Sequence, residues 1–474
     1  GSVQYNQMTK YSLVFLASFS LFISFLSLLN IIYSYYFNLY LNLNSYFPSL
    51  IIPLIIGIAL IFIKTKNLKL SIYNKIITII LGYTIFPILI SLPYYFSIYN
   101  ISFIDSYFEA ISGFTSTGFS IFDNIKHLDE SLILWRSTSQ WIGGLYFLFS
   151  IIILIDIFDD NLKKSITNFF SFNSSEILKQ SMKIFIIYLS LTIFIYFVLK
   201  IIKFRDFDAF NFALTIISSG GFKPLNEINY ILNSNFKIYI FSLLLLISFF
   251  SIFLIYNLIF LKNRYLNFFT EDYYLLLYFI TVTFILFVFF NENNFPLLFL
   301  GITTSISNIG IYFSDSKFDL TFIFLIFVII GGSLLSTSSG IRFYKIFTLF
   351  KFTKNELLSY TKPKQVFLSK VSFNESKINY SVINKYFLTI LIFFISLIVV
   401  TSLLSISGIS FTDSFKLGIL TIMNTVNSSI YDLGNFDFNN QNNFFKITLV
   451  LFMIIGRVEF ITFIILLKKY LFKN

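Results

Sequence analysis

Ser112-Gly113-Phe114-Thr115-Ser116-Thr117-Gly118 closes a semi-apolar stretch, residues 101–118, that lies between two long apolar runs at 75–99 and 131–156. Three more stretches of this kind follow. Residues 205–221 end in Ser218-Ser219-Gly220-Gly221, residues 294–310 in Ser307-Asn308-Ile309-Gly310, and residues 411–427 in Asn424-Thr425-Val426-Asn427. Aligned on the fourth position of each cluster, successive copies lie 103, 89 and 117 residues apart. Asp105 and Asp208 precede that position by thirteen residues, and Asp413 precedes Asn427 by fourteen. An acid there suits the positive N-terminal end of a short helix. Segments of this length in apolar surroundings dip into a membrane and return. Such backbone survives only where protein buries it or a water-filled cavity accepts its polar groups. Four of them in register predict one central pathway, built from a span–short helix–span unit used four times.

The chain around these segments is a membrane protein by composition. It has 474 residues, 57% hydrophobic and only 12% charged, with a mean hydropathy of +0.81. Soluble domains carry roughly twice that share of charge. Apolar runs at 11–37, 49–64, 75–99, 131–156, 181–202, 236–261, 271–291, 318–350, 383–407 and 445–470 predict ten spans. Lys64, Lys66, Lys69, Lys75, Lys163, Lys164, Lys179, Lys183, Lys262 and Arg264 fall on one side of those spans. So does the cluster Lys351, Lys354, Lys362, Lys364, Lys370, Lys377 and Lys385. That side is therefore cytoplasmic and holds both termini, with Lys203 and Arg205 as the exception outside. The net charge of +11 is the signature of that orientation, not of nucleic-acid binding. With no cysteine and one histidine (His127), disulfide, thiolate-metal and imidazole chemistry have no basis. No cluster of catalytic carboxylates or histidines suggests an enzyme. The leading Gly1-Ser2 reads as a cloning remnant, and no cleavable signal is evident.

The expected fold is thus an all-α polytopic membrane protein. Residues 1–70 hold two peripheral spans, and residues 71–170, 171–265, 266–365 and 366–474 hold the four repeats. Four such strands can select a monovalent cation, because backbone carbonyls replace its water when they face one axis. Short helices that aim their C-terminal ends at the pore centre add attraction for cations. The predicted selectivity filter is Thr115, Ser116, Thr117, Gly118; Ser218, Ser219, Gly220, Gly221; Ser307, Asn308, Ile309, Gly310; and Asn424, Thr425, Val426, Asn427. In the fourth strand Asn427 stands at the glycine position. Asparagine tolerates the left-handed backbone region, and its side chain would lie beside the ion path.

The chain resembles the Trk-type potassium-uptake subunits of the Trk/Ktr/HKT superfamily. The match rests on the 112–118 segment followed by Trp135-Arg136, Gln140-Trp141 and Gly143-Gly144. Further matches are Ser219-Gly220-Gly221-Phe222, Asn308-Ile309-Gly310, Gly331-Gly332, Ser336-Thr337, Gly340-Ile341 and Gly456-Arg457-Val458-Glu459-Phe460. The resemblance covers residues from about 75 to 470, and the two extra N-terminal spans suit the Trk branch. It implies uptake of K⁺ through the filter, K⁺ being the transported ion, with no organic cofactor. It implies a homodimer and a cytosolic nucleotide-binding ring of the RCK type. It also implies an intramembrane loop that gates the pathway, with Gly331, Gly332, Ser336, Thr337 and Gly340 in it.

Span eight is so rich in Gly and Ser over 331–340 that a continuous helix is disfavoured there, a small-residue packing face being the alternative. By resemblance Arg457 lies near the pore below the filter; pairing with a carboxylate is the alternative. Glu109 either concentrates cations at the pore or bonds behind the filter. Arg136 reads as an interfacial anchor. The departure at the fourth filter leaves open a poorly selective K⁺/Na⁺ channel, and a cation-coupled secondary transporter is the more distant alternative.

Overall fold

The computed structural model describes residues 10–63, 71–158, 177–259, 269–290, 294–313, 320–361, 380–458, 462 and 465. Lys64, Lys66, Lys69, Lys163, Lys164, Lys262, Arg264, Lys362, Lys364, Lys370, Lys377 and Glu459, named above, lie outside the described residues.

The chain opens with helices α1 (Lys10–Tyr36) and α2 (Tyr46–Phe62), which pack side by side in opposite directions. Serines make that seam: the Ser20, Ser24 and Ser27 hydroxyls donate to the carbonyls of Pro53, Leu50 and Tyr46 at 2.7–2.8 Å. Small polar residues let two helices approach closely where lipid gives no hydrophobic drive for association.

A long helix, a twelve-residue helix and a second helical segment then recur four times. The first set is α3 (Ile72–Tyr95), α4 (Phe103–Phe114) and α5 (Glu130–Phe158). The second is α6 (Ile177–Ile201), α7 (Asp206–Ile217) and the pair α8 (Asn235–Leu245) and α9 (Ile252–Ile259). The third is α10 (Phe269–Phe289), α11 (Phe295–Ile306) and the pair α12 (Thr321–Ile329) and α13 (Phe343–Thr361). The fourth is α14 (Tyr380–Ile406), α15 (Phe411–Ile422) and α16 (Asn443–Val458). The described residues form an all-α fold, apart from one isolated bridge between Ile330 and Ile341. Among the described residues, seven helical segments are long and apolar enough to cross a membrane. The chain is a multi-pass membrane protein.

The ten predicted runs match this order, but two are not single helices. The run 318–350 breaks between Ile329 and Phe343, where Gly331, Gly332 and Gly340 accompany four serines. The run 236–261 breaks at Ser248–Ser251, which composition did not suggest. The two breaks hold each other: Ser333 and Ser338 donate their backbone N–H to the carbonyls of Phe249 and Ser248, and Ile252 N–H donates to Leu335. Each interrupted helix thereby satisfies polar backbone that the other frees.

Candidate functional site

The twelve-residue helices start in local sequence. Ser102 accepts from Asp105 N–H at 3.2 Å, and Ser410 accepts from Asp413 N–H at 3.2 Å, so both helices begin with a capping serine and an acid three residues on. Arg205 pairs with Asp208 at the start of α7, and Pro296 occupies the first turn of α11. Each helix ends at a residue followed by positive φ: Ser116 (56°), Ser219 (56°), Asn308 (58°) and Asn424 (46°). The backbone then reverses, and the N–H of Thr117, Gly220, Ile309 and Thr425 donates to Ser112, Thr215, Thr304 and Leu420, five residues back in every case.

This geometry corrects the fourth strand. Asn424 matches Ser116, Ser219 and Asn308, so Val426, not Asn427, occupies the place of Gly118, Gly221 and Gly310. Asp413 precedes Val426 by thirteen residues, as Asp105 and Asp208 precede their glycines. The equal spacing was the signal in the sequence; alignment on the polar Asn427 hid it. Asn427 is not left-handed and does not stand in the strand. Its Nδ2 donates to the Leu433 carbonyl at 2.9 Å, in the loop beyond. Left-handed backbone therefore falls mainly on non-glycine residues, each at a cost of about 1–3 kcal/mol that the packed surroundings bear. Among the four fourth-position residues, Gly118 (88°) and Gly310 (74°) do need it.

Side chains tie the strands into a ring. Asn424 Nδ2 donates to Thr117 Oγ1 at 3.0 Å, Asn308 Nδ2 to Thr425 Oγ1 at 3.1 Å, and Ser219 Oγ to the Ser307 carbonyl at 2.5 Å. Strand four thus neighbours strands one and three, and strand two neighbours strand three. Phe222 N–H donates to Gln140 Oε1 at 3.2 Å, joining strand two to α5 of the first repeat. At Gly143 a Cβ would overlap the Phe114 carbonyl, and at Gly144 it would lie 2.7 Å from the Ser218 side chain. The paired glycines let α5 touch the ends of two of the twelve-residue helices at once.

Glu109 bonds behind the first strand. Its carboxylate accepts from Arg136 Nε at 2.8 Å, Ile121 N–H at 2.9 Å and Ser120 Oγ at 3.1 Å. Arg136 is therefore a buried brace and not the interfacial anchor expected; it is 2% exposed and stacks 4.1 Å over the Phe222 ring. Lys446 pairs with Asp105, tying α16 to the first short helix.

Beneath the strands, Thr337 Oγ1 donates to the Ile217 carbonyl at 2.7 Å, placing the 331–340 segment against the end of α7. Arg457 donates to Ser339 Oγ and stacks 3.7 Å over Phe147. Arg342 stacks 5.0 Å over the same ring and donates to the Ser333 carbonyl at 2.9 Å. A second set of contacts escaped the sequence reading. Glu271 accepts from Leu334 N–H at 3.1 Å and Ser333 Oγ at 3.4 Å, while Asp272 accepts from Ser251 N–H at 3.2 Å. Adjacent carboxylates thus hold the breaks of both interrupted spans. Lys223 stands two residues beyond Gly221, where burial pushes its ammonium below the ordinary lysine range.

No family model matches the chain. It is 25% identical to an uncharacterized cation transporter of Methanocaldococcus jannaschii, over 95% of this chain and 94% of that protein. It is 31% identical to the Trk system potassium uptake protein TrkG of Escherichia coli over 17% of each chain. The crystal structure of the potassium transporter TrkH from Vibrio parahaemolyticus superposes with a TM-score of 0.80. That match covers 96% of this chain and 98% of the other at 20% identity, and it establishes the fold. The chain thus has the TrkH fold and is similar in sequence to Trk potassium uptake proteins. The sequence-level resemblance to Trk-type subunits is borne out, and its relatives are transporters, not enzymes.

Proposed function

We propose that this TrkH-like chain carries K⁺ into the cell, down the electrochemical gradient, through the ring of four strands. The observation that carries the reading is the fourfold recurrence of a twelve-residue helix ending in a left-handed residue, with the strands bonded to one another. In this arrangement four helix C-termini, each partially negative, converge on one place and favour a cation there without a carboxylate ring. The names of the E. coli and Vibrio relatives support potassium as the ion. The filter is Thr115–Gly118, Ser218–Gly221, Ser307–Gly310 and, in the corrected register, Met423–Val426. The four repeats are the units 71–170, 171–265, 266–365 and 366–474, beside two peripheral spans.

The 331–340 segment acts as the inner gate, and Arg457 and Arg342 place fixed positive charge beneath the strands. At 100 mV, negative inside, each inward charge gains about 2.3 kcal/mol, enough to drive uptake without a coupled ion. The chain works in the cytoplasmic membrane with both termini inside, as a homodimer with a cytosolic RCK-type ring on its lysine-rich face. Weak K⁺-over-Na⁺ discrimination is the second reading, favoured by the absence of a fourth glycine.

The test is cation flux into proteoliposomes at an imposed negative-inside potential, with K⁺ and Na⁺ at equal concentration and the ring present or absent. K⁺ flux well above Na⁺ flux supports the reading. Equal fluxes leave a pathway without potassium selectivity. No flux of either ion from folded protein, with or without the ring, refutes it.

A further inference from the structure

Val426 has its side chain inside the ring of strands. Its isopropyl group is where three glycines converge. A Cβ placed on Gly118 would lie 3.0 Å from Val426 Cβ, and one on Gly310 would lie 2.6 Å from Val426 Cγ1. A Cβ on Gly221 would overlap Val426 Cβ outright. Since strand four neighbours strands one and three, Gly221 belongs to the strand opposite. A side chain that touches both neighbours and the opposite strand occupies the centre of the ring. Val426 is 7% exposed, and its β-branch restricts the rotamers by which it could turn aside.

We infer that Val426 is a hydrophobic plug in the outer half of the filter, and that it sets the rate and selectivity of cation passage. The inference rests on the reading of this ring as the ion pathway. Each strand runs outward from the end of its short helix, so the fourth position lies on the outer side of the ring and the 331–340 segment on the inner side. At the Val426 level an arriving cation meets carbon on the axis where backbone carbonyls would otherwise replace its lost water. Passage requires the fourth strand to shift or the isopropyl group to rotate out of the centre. The valine therefore taxes every crossing, and an ion already bound to the inner carbonyls cannot leave outward past it freely. It acts on both K⁺ and Na⁺, but the strand symmetry that favours K⁺ is restored only when the position is glycine.

The experiment compares wild type, Val426→Ala and Val426→Gly in proteoliposomes, with K⁺ and Na⁺ flux measured separately and folding checked by size exclusion in detergent. The expected order is wild type below V426A below V426G, with V426G carrying K⁺ about tenfold faster or more and a higher K⁺-to-Na⁺ ratio. V426A guards against a glycine-specific folding defect, because it removes the two methyl groups and keeps the Cβ. Wild-type flux that V426A and V426G leave unchanged or lower overturns the plug while the pathway stands. Folded protein of all three kinds that passes neither ion overturns the pathway and the plug together.

Discussion

Removing one partner of the Glu109–Arg136 pair should destabilise the protein strongly, and removing both should not cost the sum. Glu109 is fully buried and Arg136 is 2% exposed, so neither charge can recover water if its partner is deleted. Breaking such a pair costs roughly 3–5 kcal/mol, whereas replacing both members by apolar residues of similar volume is often close to neutral. In E109L the guanidinium keeps Ser120 Oγ at 2.9 Å and the Phe222 ring at 4.1 Å, which softens the loss, so the lower half of that range is expected. In R136M the stranded carboxylate keeps Ile121 N–H and Ser120 Oγ, and a similar loss follows. The double variant E109L/R136M should lose at least about 2 kcal/mol less than the sum of the two single losses, a coupling far outside the roughly 0.5 kcal/mol expected of independent sites. The assay is equilibrium unfolding in mixed micelles, with apparent melting by size exclusion as a second measure. Additive losses, or single variants as stable as wild type, would refute the buried-brace account. They would also remove the reason for placing Ile121 and Phe222 where they flank the strands.

Three further outcomes follow. Glu271→Ala strands Leu334 N–H, a buried donor whose loss of partner costs about 1–3 kcal/mol, and so should loosen the 331–340 segment and raise K⁺ flux about fivefold or more. Glu271→Gln keeps an acceptor and should stay near wild type, so unchanged flux in E271A would remove this contact from gating. Arg457→Met takes a positive charge from beneath the strands and should raise inward K⁺ flux about fivefold, with Arg457→Lys staying low; equal flux in all three would detach Arg457 from the pathway. For Lys223, burial lowers the folded-state pKa, so the folded protein releases this proton at lower pH than the unfolded chain, and stability rises as pH climbs through that window. The same deprotonation removes a positive charge from the outer side of the ring. Flux should therefore increase about threefold as external pH rises, and Lys223→Met should abolish the dependence; a persistent pH response in K223M would place its source elsewhere.

Sequence alone determined the membrane class, the order of the long helices and the existence of four short ones between them. These depend on properties that are local along the chain: a run of apolar residues long enough for a bilayer, a serine that caps an N–H, an acid in a first turn, a proline where no N–H is needed. The Gly and Ser content of 331–340 likewise announced its break before any contact was known. The break at Ser248–Ser251 could not be read in that way, because Leu-Ile-Ser-Phe-Phe-Ser is acceptable helix. It opens because residues some ninety positions later, at Ser333 and Ser338, offer its carbonyls donors, and because Asp272 reaches Ser251.

The same distinction separates the filter's composition from its register. The clusters of small polar residues were legible, and so was the thirteen-residue spacing from Asp105 and Asp208. Which residue of the fourth cluster stands among the glycines depended on where α15 ends and which residue turns left-handed. Asn424 takes that turn, its amide bonded to Thr117 and to the Met453 carbonyl. Asn427 is thereby carried out of the strand and Val426 into the centre. Glu109 and Arg136, twenty-seven residues apart, were each legible as a charge in apolar surroundings, but only packing made them partners. A buried charge advertises a need, and the tertiary fold alone decides what meets it.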